Sequence, residues 1–250
     1  MEFREIIKDN ESKNKVLIGF DGRKARHAIN FKDTSSVIIT GETGSGKSIL
    51  LDQILCQLVK NNTSLELELA LIDSSGVELN YYADTRYAKM SAMSDNDKAA
   101  VVLSNVLKIM DERYKTINSL NCLTVDEYNK EAVDPIPTLV LAIDDNGTFI
   151  NSEDISKSLT ALMSQGGDVN IYLIAAFSNT DNYFFKSNKN LYSPVIISFD
   201  MSDAEHAAYA NVPGAENLPV GKFILKEDHV VRELFNFDFD DKIILEILNK

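Results

Sequence analysis

A mostly parallel β-sheet with helices on both faces follows from three features of this 250-residue chain. Short runs such as SVIIT at 36–40, TLVLAID at 138–144 and NIYLIAAF at 170–177 are apolar almost throughout, as strands covered on both faces are. Longer stretches between them repeat their apolar residues at helical spacing. The two patterns alternate along the chain, which is the mark of crossover connections and places a ligand at the carboxyl ends of the strands.

Taken in order, a polar opening at 8–15 gives way to a short strand at 16–20, and Asp21-Gly22 turns the chain. The cluster Arg23, Lys24 and Arg26 reads as a solvated loop, because no glycine or aromatic partners surround it. SVIIT at 36–40 is a buried strand that runs straight into a glycine-rich segment. Ile49, Leu50, Ile54, Leu55 and Leu58 then mark an amphipathic helix, ended by Asn61-Asn62. The next strand is 65–73 (LELELALID), broken by Ser74-Ser75-Gly76. Val101, Val102, Val106, Leu107, Ile109, Met110 and Tyr114 lie on one face of a long helix over 97–117. Pro135-Ile136-Pro137 leads rigidly into the strand at 138–144, whose end carries two acids. A helix at 155–163 is closed by Gly166-Gly167. Buried strands at 170–177 and 195–199 and an edge strand at 222–225 complete the pattern, with no internal repeat, so residues 1–250 read as one domain.

Composition narrows the function. Side chains that are 44% apolar suffice for one large core, and a formal charge of −13 opposes DNA as the main partner, because DNA binding rests on basic residues collected on one face. Cys56 and Cys122, expected inside helical stretches, have no CxxC spacing, and His27, His206 and His229 are scattered, which argues against a disulfide framework or a zinc site. No apolar run is long enough to span a bilayer, and Glu2, Arg4 and Glu5 interrupt any secretory leader.

The chemistry concentrates in Gly41, Glu42, Thr43, Gly44, Ser45, Gly46, Lys47 and Ser48, between a strand and a helix. That is a P-loop: its glycines let backbone N–H groups turn around an anion at the positive end of the helix, Lys47 reaches the β and γ phosphates, and Ser48 ligates Mg²⁺. ATP with Mg is the expected ligand. Asp144, ending the strand at 138–144, is expected to hold the magnesium water shell. Asp145 is the weaker, catalytic candidate, standing where a motor ATPase usually has a glutamate that polarises the attacking water.

The ordered landmarks GETGSGKS, LIDSSGVEL, MDERY, LVLAIDD, IYLIAAF and PGAENLPVGKF resemble the FtsK/SpoIIIE translocase family over about residues 15–235. Within it, the acidic balance most resembles the third, C-terminal ATPase domain of the membrane-anchored coupling ATPase of type VII (ESX/Ess-type) secretion. That resemblance implies a domain of a longer bacterial protein at the cytoplasmic face of the membrane, neighbouring sister ATPase domains, a possible homo-hexamer and docking of secreted effector proteins through an amphipathic C-terminal helix. A DNA-translocating motor is the alternative, and a P-loop switch or small-molecule kinase lacks the Asn-Lys-x-Asp base-reading segment. Set against the family pattern, Ser74-Ser75 replace a proline and lysine, Asp145 the glutamate, Gly167 an arginine and Ser178-Asn179 a glutamine-arginine pair. These departures imply binding of nucleotide with weak or absent hydrolysis.

Overall fold

The computed structural model describes residues 1–188, 195–201 and 203–249, in which ten strands join one sheet. The elements run α1 (Phe3–Ile6), β1 (Lys15–Phe20), β2 (Arg26–Asn30), β3 (Ser36–Thr40), α2 (Lys47–Asn61), β4 (Leu67–Asp73), α3 (Asn80–Ala83) and β5 (Ala88–Met93). They continue with α4 (Asn96–Ser119), α5 (Val125–Asn129), β6 (Thr138–Asp145), α6 (Glu153–Gln165), β7 (Ile171–Phe177) and α7 (Tyr183–Ser187). The last are β8 (Val195–Ser198), α8 (Ala204–Tyr209), β9 (Lys222–Glu227), β10 (Val230–Phe235) and α9 (Lys242–Leu248).

Across the sheet the order is β2-β1-β10-β9-β8-β3-β7-β6-β4-β5. From β8 to β5 every pairing is parallel, and from β8 through β9, β10, β1 and β2 every pairing is antiparallel. The parallel half is the one the apolar runs predict: β3 and β7 are buried at every residue. One face is covered by α2, whose Leu50, Leu51, Ile54 and Leu55 join Ile243 and Ile244 of α9 in one core cluster. The other is covered by α4 and α6 through Val102, Val106, Met110, Leu159 and Leu162. Burying a side chain of this size contributes about 1.5 to 3 kcal/mol, so both faces hold the central strands rigid and their carboxyl ends fixed.

Three expectations are corrected. The strand at 222–225 is no edge, for β9 lies between β8 and β10; its partner β10 (VVRELF) is half exposed and too polar to announce itself. Cys122 follows the C-cap of α4 at Leu120 and is half-buried in the turn rather than helical. Of the basic cluster, Arg26 begins β2 and pairs with Asp9. The long helix is set by Asp95, whose side chain accepts the Lys98 N–H as an N-cap.

Candidate nucleotide site

Thr40 ends β3 and Lys47 begins α2, leaving Gly41–Gly46 to reverse the chain. Gly41 and Gly46 have φ of 147° and 114°, where a side chain is strained. A second constraint comes from Phe199, just beyond β8. A Cβ on Gly41 would lie 2.8 Å from that of Phe199, and one on Gly46 would lie 3.2 Å from its ring. The carbonyl of Asp200 accepts the Glu42 N–H at 2.8 Å. The loop is therefore held from beneath by the strand next door, a support far away in sequence.

Lys47 is buried, and its ammonium donates to the Glu42 carbonyl at 2.7 Å, closing the loop on itself. Burial pulls its pKa down, while Asp144, Glu42 and Glu78 oppose that shift. No side chain caps α2, so its first N–H groups are not taken by a local carboxylate or hydroxyl. Across from it, burial lifts Asp144 to about 6, against the pull of a hydrogen bond from Ser48. Two buried oxygens here lack a partner in the protein: Ser45 Oγ in the loop and Asp144 Oδ2 opposite. Orphaned buried oxygens are costly, and this pair flanks an uncapped helix terminus. A phosphate in the loop and a hydrated cation at Ser48 and Asp144 are groups these residues fit.

Three aspartates end the two adjacent strands, and only one of them is left open to the site. In β4, Asp73 accepts from the Ser75 N–H, the Ser75 hydroxyl and the Gly76 N–H through Oδ1, and from the Leu79 N–H through Oδ2. It faces Asp144 in register, an equivalence visible in LALID and LVLAID but not singled out from sequence. Asp145 is fully buried, and it accepts from the Thr148 and Phe149 N–H groups at 3.1 Å and the Ile150 N–H at 3.3 Å. Both of its oxygens are engaged in folding the loop after β6.

The structure thus brings together Gly41–Ser48 and Asp144, and turns Asp145 away into its own loop. Ser74 donates to the Asp144 carbonyl and accepts from the Asn146 N–H, tying the β4 and β6 loops together. Asn179 accepts from the Asp181 N–H, and its Cβ sits against Gly147. Gly167 stands beside Ser35, at the amino ends of the strands and away from the loop. Sequence reasoning missed Phe199, Glu78 and His206. Glu78 raises Asp144 and opposes the desolvation of Lys47, and His206 lines a cavity of about 420 Å³ with Gly41, Glu42, Thr43 and Asn179.

Fold and loop together define a P-loop nucleotide-binding domain of the mostly parallel α/β class. The chain belongs to the FtsK/SpoIIIE family, whose family model matches residues 4–174. Among curated proteins it is similar to the DNA translocase FtsK of Treponema pallidum, 27% identical over 169 residues that span 64% of this chain and 21% of that protein. The chain therefore corresponds to about a fifth of that relative. Among solved structures, the cytoplasmic domain of the Thermomonospora curvata type VII secretion ATPase EccC superposes with a TM-score of 0.81 at 17% identity, over 95% of this chain and 31% of the other. ATPases 2 and 3 of the same EccC, in complex with a signal sequence peptide, give 0.67 at 20% identity, over 92% of this chain and 41% of the other. At these identities the likeness is one of fold.

Proposed function

We propose that this is a nucleotide-binding domain of a type VII secretion coupling ATPase, which binds ATP with Mg²⁺ and hydrolyses it slowly or not at all. The observation that carries the reading is the contrast at the end of β6. Asp144 keeps an unpartnered oxygen beside Ser48, whereas Asp145 has both oxygens occupied by backbone N–H groups. Lys47, Ser48 and the α2 terminus would hold the phosphates, and Ser48 and Asp144 the cation. The bound cation would neutralise phosphate charge. A water-polarising carboxylate needs a free oxygen at the site, and misplacement by about 1 Å can lower a rate roughly a hundredfold.

Secretion is favoured by acidity, by the solved type VII ATPases of like fold, and by a groove on the face of α1, α2 and α9. That groove of about 410 Å³ has Ile7, Val59, Tyr87 and Ile243 among its walls, with Lys8 and Arg86 at its margin. An amphipathic helix of a secreted protein is the partner suited to such a groove. The second reading, a DNA-translocating motor, is favoured by the curated relatives, which are named as DNA translocases. Calorimetric titration of ATP and ADP with magnesium, together with a turnover assay, tests the first claim: micromolar binding with negligible turnover is expected, and several turnovers per second would overturn it. Titration of duplex DNA and of an effector's C-terminal peptide at physiological salt separates the partners. A micromolar DNA complex that weakens steeply with salt would favour the motor.

A further inference from the structure

The nucleotide cleft is short of positive charge. Around Lys47, the groups whose charges reach it are Asp144, Glu42 and Glu78, all acids. Asp73 and Glu78 act on Asp144, and Asp52 and Asp241 lie close enough to act on the same group of carboxylates. A triphosphate brings still more negative charge into this setting than a diphosphate does. One Lys and one divalent cation are thin compensation, since P-loop enzymes commonly add an arginine at the terminal phosphate.

The cavity opening off the first half of the loop is lined by a second basic side chain, His206. Its position is over-determined. The Asp203 carboxylate accepts the Glu205 and His206 N–H groups at 2.9 Å, capping α8, and the same oxygen lies 3.3 Å from His206 Nδ1. The His206 carbonyl accepts from Thr180 Oγ1 at 3.0 Å, which anchors α8 to the segment leaving β7. A carboxylate at one ring nitrogen orients an imidazole and favours its charged form.

We propose that His206 is a phosphate-sensing residue of this site, its imidazolium holding the terminal phosphate of a nucleoside triphosphate and so distinguishing triphosphate from diphosphate. The inference rests on the nucleotide-binding reading above and assigns a role to a residue outside the P-loop motif. The charged groups that bear on the ring are Asp203 and Glu205 on its own helix, Tyr209, which donates to Glu205, and Glu42 across the cavity. From α7 comes Lys186, paired with Asp181 and lying over the Tyr209 ring. Acids outnumber free cations in that set, so the ring is the group there whose charge can change near neutral pH.

The test is calorimetric titration of ADP and of a non-hydrolysable ATP analogue, each with magnesium, at pH 6, 7 and 8. The proteins are the wild-type chain, His206→Gln, His206→Lys and Asp203→Asn. In the wild type, the preference for the triphosphate should be roughly tenfold greater at pH 6 than at pH 8, the scale of one charge-assisted contact. His206→Gln should flatten that slope with ADP affinity unchanged, and subtracting its profile removes the contribution of Asp144. His206→Lys should keep the preference at every pH. Asp203→Asn, which still caps α8, should move the slope to lower pH. A preference that is equally steep in His206→Gln, or flat in the wild type, overturns the role of His206 while leaving nucleotide binding in place. Failure of both nucleotides to bind the wild type overturns the role and the underlying reading together.

Discussion

Asp144 and Asp145 are neighbours at the end of β6, yet their environments are opposite. A strand sends successive side chains to opposite faces, so one carboxylate turns toward α2 and the P-loop while the next turns into the opposite core. There Asp145 meets the chain folding back as Thr148, Phe149 and Ile150, and their N–H groups fill it. Asp144 meets only the Ser48 hydroxyl, keeps Oδ2 unpartnered and is raised to about 6 by burial. The same side chain is a structural clamp at one position and an open ligand at the next. Fold stability and ligand affinity should therefore separate cleanly between them.

Lys47 marks the ligand side at its strongest. Lys47→Ala is expected to weaken nucleotide binding roughly a thousandfold, about 4 kcal/mol, the scale of deleting one buried, hydrogen-bonded charge. Thermal unfolding of the apo protein should move little, because the loss falls on the ligand. Retained affinity in calorimetry would remove the loop as the binding element.

On the clamp side, Asp145→Ala leaves three buried N–H groups without their acceptor. A loss of about 2 to 3 kcal/mol is expected, read as a drop of about 4 to 12 °C in melting temperature. Nucleotide affinity measured below that melting point should be unchanged, and Asp145→Glu should restore no turnover. If Asp145→Ala instead left stability intact and abolished hydrolysis, the comparison would be reversed and Asp145 would be catalytic.

Asp144→Asn should do the converse. Magnesium-dependent tightening of nucleotide binding is expected to fall about tenfold, near 1.4 kcal/mol, with melting temperature equal or slightly higher. A large destabilisation would show that Asp144, like its neighbour, serves the fold.

The smallest effect is placed one helical turn along α2. Asp52 is buried, its Oδ1 has no partner, and burial raises its pKa well above the ordinary range, helped by the charges of Glu78, Asp241 and Asp144. A carboxyl whose folded pKa is raised stabilises most fully below its unfolded value, and that contribution is lost as pH rises through the folded value. Asp52→Asn carries no charge to bury, so it should melt a few degrees higher than wild type at pH 8, on the scale of about 1 kcal/mol. The gain should shrink toward zero near pH 4. A pH-independent difference in melting temperature would mean that the carboxylate is compensated in the fold.

Much of this was written within short stretches of chain. The apolar runs of β3, β6 and β7 declared a buried parallel sheet, since a strand covered on both faces has no place for polar residues. The P-loop spacing, Lys47, Ser48 and the aspartate ending LVLAID needed no more than their own neighbours to be recognised, because an anion cradle at a helix terminus is a local object. What the sequence left open were facts about contact between distant segments. Phe199 under the glycines, Glu78 beside Lys47 and Asp144, and His206 at the mouth of the cavity lie on elements remote in the chain from the loop they serve. β9 proved central because β10 pairs with it, an association that no periodicity within VVRELF foretells. The division between Asp144 and Asp145 belongs to the same class: two identical side chains in adjacent positions differ in function because the pleat sends them to opposite sides of the sheet, and only the packed structure decides what each one meets there.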